Sequence, residues 1–177
     1  MSVDTSGEHA RLMVFTTGAV ELREFNASDG HVLDEVFAGL SPESRFQRYL
    51  TAMPALPNQT RRVLTSVDGR THVAVLAMAD GKAIGIGRLI GLGGHRGELA
   101  FEVVDAWQGR GVGTRLALWI RDRAAALGFT ELVAETSAGN ARAQAILRKV
   151  FPAHVARREG TVIVFTIPVD SIHPTAA

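Results

Sequence analysis

The spacing of apolar residues alternates along the chain between the two-residue period of strands and the wider period of helices. Residues 19–25 alternate apolar and polar side chains, which predicts a first strand. Ser41 and Pro42 are typical of a helix N-cap and first helical position, and Asp80-Gly81 is typical of a hairpin turn. The predicted strands are 19–25, 72–79, 82–92, 98–104, 131–136, 153–158 and 161–169, and the predicted helices are 29–37, 41–50, 59–67, 115–128 and 140–150.

The order of these elements, β-α-α-α-β-β-β-α-β-α-β-β, describes a mixed sheet flanked by helices and therefore an α/β (α+β) class of fold. A chain of 177 residues is long enough to bury a core without disulfides or metals, and one domain is expected. We expect this domain to span 18–169, with flexible tails at 1–17 and 170–177.

Composition excludes several classes of function. The 19 basic and 18 acidic residues nearly balance, so we expect neither nucleic acid nor a membrane surface as a partner. No apolar run approaches the roughly 20 residues of a membrane span, and the N-terminus lacks the features of a signal peptide. The chain has no cysteine, which fits a cytoplasmic protein, and its six histidines lack metal-ligand spacing, so we expect no metal.

The most informative segment is Gln108-Gly109-Arg110-Gly111-Val112-Gly113-Thr114, between a predicted strand and a predicted helix. Glycines let the main chain approach an anion, and a helix N-terminus adds about half a positive charge. The segment therefore predicts a phosphate site. It is not a Walker A loop, because no Gly-Lys-Ser/Thr follows. A tight turn without a ligand remains an alternative, as does a dinucleotide site with Glu131 as its acidic residue.

Two motifs together resemble the GNAT family of N-acetyltransferases. Gln108 to Gly113 matches the family's Gln/Arg-x-x-Gly-x-Gly/Ala pattern, and Asn140-Ala141-Arg142-Ala143 matches its Asn-x-x-Ala pattern. The resemblance covers roughly residues 20–168. It implies a GNAT fold, in which a twisted, mostly antiparallel sheet of about seven strands is splayed at strand 4. It also implies direct transfer of an acetyl group from acetyl-CoA to a primary amine in a ternary complex.

The resemblance further implies how acetyl-CoA is held. Backbone amides of the glycine segment would hold the pyrophosphate, the main chain of two strand residues would pair with the pantetheine arm, and Asn140 would bond to that arm. For Asn140 the alternative is a helix N-cap. The residues implied are Val103, Val104, Gln108, Gly109, Arg110, Gly111, Val112, Gly113, Thr114, Asn140 and Ala143.

Glu98 matches the strand position where many family members carry a catalytic glutamate, and a partly buried carboxylate there would take the proton of the acceptor amine. Glu102 is the rival, since it lies four residues on and shares the same sheet face. Either carboxylate could instead bind the substrate or face solvent. Leu147 stands where many members carry a tyrosine as general acid. The only tyrosine, Tyr49, lies on an early helix and fits a core or substrate-wall position better than an acid.

The acceptor has two interpretations. Residues 40–49 resemble a segment of bacterial Pat-type domains that acetylate protein lysines, which favours a protein lysine and a bacterial source. The alternative is a small amine such as an amino acid, polyamine or aminoglycoside. The missing tyrosine also leaves open a non-catalytic sensor that binds an acyl-CoA. The protein is expected to be a monomer or homodimer.

Overall fold

The computed structural model describes residues 20–169, so the predicted tails at 1–17 and 170–177 lie outside the described residues. The strands are β1 (Glu21–Glu24), β2 (His72–Ala79), β3 (Lys82–Gly93), β4 (Arg96–Val103), β5 (Glu131–Ser137), β6 (Val155–Glu159) and β7 (Val162–Pro168). The helices are α1 (Gly30–Ala38), α2 (Pro42–Tyr49), α3 (Asn58–Thr65), α4 (Val112–Ala126) and α5 (Ala141–Val150). The predicted order of elements is confirmed.

All seven strands belong to one sheet in the order β1-β2-β3-β4-β5-β7-β6. Every neighbouring pair is antiparallel except β4 and β5, which are parallel. These two strands pair only where residues 96–98 meet 131–133, and beyond that point β4 runs on to Val103 and β5 to Ser137. The unpaired ends form a split in the sheet, which confirms the mixed, mostly antiparallel fold splayed at strand 4.

Apolar side chains are buried on both faces of the sheet. On one face Leu89, Ile120 and Phe165 belong to the core under α4 and α5, and each is fully buried. On the opposite face Val36 and Ile86 belong to the core that α1, α2 and α3 cover. Burying a side chain of this size contributes about 1.5–3 kcal/mol. No helix within residues 20–169 is long and apolar enough to cross a membrane.

Helix α4 begins at Val112, earlier than the position 115 that the sequence pattern predicts. Gly111 precedes it with a left-handed φ of 81°, so the chain turns at this glycine and the last residues of the glycine segment form the first helical turn. Gly113 has a different reason to be glycine. A Cβ there would lie 2.8 Å from Cδ1 of Ile146, so its absence lets α5 pack against the start of α4.

Candidate active site

The split between β4 and β5 opens into a cleft of about 790 Å³. The two strands form its inner walls, and the N-terminal ends of α4 and α5 form its outer end. Helix α2, which packs against β4 and β5, supplies the remaining wall. The predicted phosphate segment and the two predicted carboxylates therefore lie at or beside one cleft.

The glycine turn exposes its main chain at the outer end of this cleft. Gly109 and Gly111 have left-handed φ angles of 74° and 81°, and a Cβ on either would meet no atom within 4 Å. No side chain caps the N-terminus of α4 within the described residues. The first N–H groups of the helix thus remain available, with the partial positive charge of the helix behind them. This geometry suits a phosphate.

Gln108 connects three elements around the turn instead of capping the helix. Its Nε2, which has two hydrogens to donate, lies within hydrogen-bond distance of three acceptors: Oγ of Ser44 at 3.2 Å, the carbonyl oxygen of Val103 at 3.1 Å and Oδ1 of Asp105 at 3.2 Å. Its Oε1 accepts a hydrogen bond of 2.9 Å from Nη1 of Arg142. Ser44 and Arg142 were not predicted as site residues, although both line the cleft.

Three other predicted cofactor residues lie outside the cleft lining. The Arg110 guanidinium stacks over the Trp107 ring at 4.9 Å from its centroid, and Val112 is only 1% exposed. The N–H of Val104 donates to the carbonyl of Ile84, and its own carbonyl accepts from the N–H of Trp107. Both backbone groups of Val104 are therefore engaged within the protein.

The free edge of β4 is formed by alternate residues. Because the N–H of Val104 points toward β3, the backbone groups of Val103 and Phe101 point the other way, into the split. The carbonyl of Val103 accepts a hydrogen bond from the Gln108 side chain, as described above. An extended polyamide in the cleft can therefore pair with this edge as an added strand would. Phe101 was missed because its side chain gives no sign of a backbone role.

Asn140 and Ala143 line the cleft at the start of α5. Oδ1 of Asn140 accepts a hydrogen bond of 3.0 Å from the N–H of Ala143, so Asn140 is the N-cap of the helix. The cap uses only the carbonyl of the side-chain amide. Leu147, on the same helix, is 1% exposed and contributes an apolar surface to the inner cleft.

Glu98 lies where β4 and β5 part. It is in register with Ile90 of β3 and is the last β4 residue paired with β5, opposite Val133. Its side chain is exposed, outside the cleft lining, and has no ion-pair or hydrogen-bond partner in the part of the chain that the structure describes. Glu98 is therefore not in the partly buried position that would favour a base, and it matches the solvent-facing alternative, because α2 covers this face of β4 at Glu102 but not at Glu98.

Glu102 shares the sheet face with Glu98, as predicted, but lies in a different environment. It is 7% exposed and lines the cleft. The Tyr49 hydroxyl donates to its Oε2 at 3.1 Å, and Nε of Arg48 lies 3.7 Å from the same oxygen. Both partners come from α2. Glu102 therefore fixes the end of this helix over the sheet.

A second arginine lies beneath this contact. Arg88 is 1% exposed and pairs with Ala100 across β3 and β4, which makes Glu102 its diagonal neighbour on the same face. Nη1 of Arg88 donates to the carbonyl of Leu64 at 2.6 Å, whereas its Nε and Nη2 have no hydrogen-bond partner within the described residues. Burial lowers the pKa of Arg88 to about 10, and the negative charge of Glu102 opposes that shift.

Tyr49 is held as a hydrogen-bond donor. Burial raises the pKa of its hydroxyl far above the usual range, and the adjacent Glu102 carboxylate adds to the shift. The phenol thus stays protonated at neutral pH and is a weak proton donor to a thiolate. Its ring packs against Phe37 at a centroid distance of 6.0 Å, so Tyr49 belongs to the wall of the core.

The described residues contain no group of three or more His, Asp or Glu side chains that could hold a metal ion. The elements of the cleft are instead an open helix N-terminus, a free strand edge, a hydrogen-bonding Gln108 and carboxylates on one sheet face. These suit a ligand that combines phosphates with an extended amide chain, and coenzyme A has both parts.

Comparison with known proteins agrees with this arrangement. The family model described as Acetyltransferase (GNAT) family matches residues 33–151. The chain therefore belongs to the GNAT acetyltransferase family, and it is an acetyltransferase that acts with acetyl-CoA. A search of curated protein sequences finds no relative with significant similarity.

Several solved structures share the fold. The GNAT domain of S. lividans PAT aligns with a TM-score of 0.78 at 24% identity, covering 85% of this chain and 91% of that domain. A GNAT superfamily phosphinothricin acetyltransferase from Sinorhizobium meliloti, in complex with AcCoA, aligns at 0.69 and 17% identity, covering 84% and 88%. The PaiA N-acetyltransferase from Thermoplasma acidophilum, in complex with coenzyme A, aligns at 0.63 and 16% identity, covering 85% and 99%.

Proposed function

We propose that this protein transfers the acetyl group of acetyl-CoA directly to the side-chain amine of a lysine in another protein, with Glu98 as the general base. The observation that carries the choice of acceptor is a group of solvent-exposed carboxylates beside the cleft. Acetyl-CoA, when bound, supplies the activated acetyl group as a thioester.

The cleft has features that suit the diphosphate and the pantetheine arm of acetyl-CoA. The N–H groups around Gly109 and Gly111 and at the start of α4 would hold the diphosphate. The N–H of Val103 and the backbone groups of Phe101 would pair with the pantetheine arm along the free edge of β4. Arg142 adds a positive charge at the outer end, where its contact with Gln108 keeps it over the cleft.

Glu98 fits the role of general base better than Glu102. A base must have a lone pair that the acceptor ammonium can reach, and Glu98 is exposed with no partner within the described residues. Glu102 already accepts a hydrogen bond from Tyr49 and forms an ion pair with Arg48. Glu98 also stands at the inner end of the split, where β4 and β5 separate.

Proton donation to the departing thiolate is not assigned to a tyrosine. Leu147 provides no acidic hydrogen, and Tyr49 is committed to Glu102 outside the cleft lining. A thiolate is a stable leaving group and can take its proton from solvent. The ammonium loses two protons on becoming an amide: Glu98 takes one before the attack, and the other leaves the nitrogen as the C–S bond breaks. Solvent delivers one proton to the thiolate and carries the other away. We propose catalysis without a dedicated acid side chain.

The acceptor surface is acidic and open. Glu43 of α2, Glu98 of β4 and Glu135 of β5 are exposed, and none forms an ion pair within residues 20–169. Glu98 and Glu135 project from the same face, since Glu98 is in register with Val133. Such a surface favours a cationic segment of polypeptide over a small enclosed amine.

An acceptor panel tests this function. Acetyl-CoA would be mixed with the protein and lysine-containing peptides, spermidine, an aminoglycoside or free amino acids, and released CoA followed with a thiol-reactive chromophore. The chain has no cysteine, so the protein itself gives no background in this assay. We expect kcat/KM to be at least 10-fold higher for lysine peptides than for any small amine.

Two outcomes would contradict the proposal in different ways. If a small amine is acetylated efficiently while lysine peptides are inert, the proposed protein acceptor is wrong but the proposed acetyl transfer stands. Binding of acetyl-CoA without turnover across the whole panel would favour a non-catalytic sensor. Mass spectrometry of the peptide product locates the added acetyl group on the lysine side chain or elsewhere.

A further inference from the structure

Thr136 of β5 has a buried hydroxyl without a partner, at the wall of the cleft. The residue is 5% exposed and lines the cleft, and its Oγ1 makes no hydrogen bond to any described residue. An unpaired polar atom in the interior costs free energy, whereas valine of the same shape would not. The unpaired hydroxyl therefore indicates that a ligand enters the cleft and forms the missing hydrogen bond.

The three serine hydroxyls near the cleft already form hydrogen bonds. Oγ of Ser41 accepts from the N–H of Ser44 at the start of α2, and Oγ of Ser44 accepts from Gln108. Oγ of Ser137, next in sequence to Thr136, accepts from the N–H of Gly139. Each of the three serine hydroxyls therefore has a partner within the protein, whereas the Thr136 hydroxyl has none among the described residues.

The position of Thr136 indicates which part of a ligand it meets. Val133 is paired with Glu98, so Thr136 stands level with Phe101 on the opposite wall of the split. The backbone groups of Phe101 point into the same split. A ligand chain that pairs with the edge of β4 would thus pass the Thr136 hydroxyl on its other side.

We propose that Oγ1 of Thr136 donates a hydrogen bond to an amide carbonyl of the pantetheine arm of acyl-CoA. The inference rests on the proposed placement of this arm between β4 and β5. A hydroxyl rotates freely and can donate to a carbonyl that the β4 edge does not satisfy. The two walls then hold the arm together, the backbone of β4 on one side and a side chain of β5 on the other.

The test compares Thr136→Val, which keeps the shape and loses the hydroxyl, with Thr136→Ser, which keeps the hydroxyl. Titration calorimetry would measure binding of CoA, acetyl-CoA and adenosine 3′,5′-bisphosphate, which lacks the arm. We expect Thr136→Val to weaken CoA and acetyl-CoA about 3-fold to 10-fold and to leave the bisphosphate unchanged. Thr136→Ser should stay within about 2-fold of the unmodified protein for all three.

Thermal unfolding without ligand separates this role from a structural one. Removing an unsatisfied buried hydroxyl should leave the melting temperature of Thr136→Val unchanged or raise it. Equal CoA binding by Thr136→Val and the unmodified protein would overturn the proposal, and so would an equal loss for CoA and the bisphosphate. If the unmodified protein does not bind CoA, the proposed function itself fails. Failure of the Thr136 proposal alone is seen only when the unmodified protein binds CoA and the variants do not differ as expected.

Discussion

Glu98→Gln is expected to lower kcat by about 10²-fold to 10⁴-fold, the range that positioned proton transfer contributes. The amide has nearly the shape of the carboxylate but cannot take a proton from the acceptor ammonium. Acetyl-CoA affinity and the melting temperature should not change, since Glu98 is exposed and has no partner within the described residues. Steady-state kinetics with a lysine peptide and calorimetry with acetyl-CoA measure the two effects.

Glu35→Gln is the matched control for this variant. Glu35 is an exposed carboxylate of α1 outside the cleft lining, so the Glu35→Gln variant should have the same kcat as the unmodified protein. If Glu98→Gln also turned over at the unmodified rate, Glu98 would not be the base, and Glu102 would be the next residue to test.

Glu102→Leu is expected to lower the free energy of unfolding by about 3–5 kcal/mol, as loss of one partner from a buried ionic group does. Leucine removes the negative charge that faces the buried Arg88 and pairs with Arg48, and it also leaves the Tyr49 hydroxyl without its acceptor. Urea unfolding at 25 °C measures the change.

A double variant separates lost charge from lost packing. Arg88→Met in the Glu102→Leu background removes the uncompensated cation, so the double variant should be more stable than Glu102→Leu alone. Additive losses from the two substitutions would show that Arg88 and Glu102 do not interact. A loss below about 1 kcal/mol for Glu102→Leu would show that the charge is not needed to hold α2.

Features set by neighbouring residues could be predicted from the sequence. The glycine turn follows from backbone geometry, because Gly109 and Gly111 adopt φ angles that other residues avoid. The order of helices and strands along the chain followed from the apolar pattern, and the split at strand 4 followed from the resemblance to the GNAT family. The N-cap of α5 by Asn140 was foreseen as one of two alternatives, and the structure shows this bond.

Features set by distant contacts could not be predicted. Tyr49 and Glu102 are 53 positions apart, and nothing local indicates that α2 reaches one glutamate of β4 and not the other. The exposure of Glu98, the burial of Glu102 and the role of Arg88 all depend on this packing. The engaged backbone of Val104 depends similarly on β3, which supplies the Ile84 carbonyl.

The central claim is that the main chain at the start of α4 holds acetyl-CoA, and the affinity of Gly111→Ala tests it most directly. Gly160, in the turn between β6 and β7, is the matched control, because its φ is also left-handed at 63° and a Cβ there would also meet no atom within 4 Å. Alanine at either position introduces backbone strain of roughly 1–2 kcal/mol.

Calorimetry should show that the unmodified protein and Gly160→Ala bind acetyl-CoA equally, whereas Gly111→Ala binds at least about 10-fold more weakly because its strained turn displaces the amides that face the phosphates. Equal affinity of all three proteins, or no binding by the unmodified protein, would contradict the account.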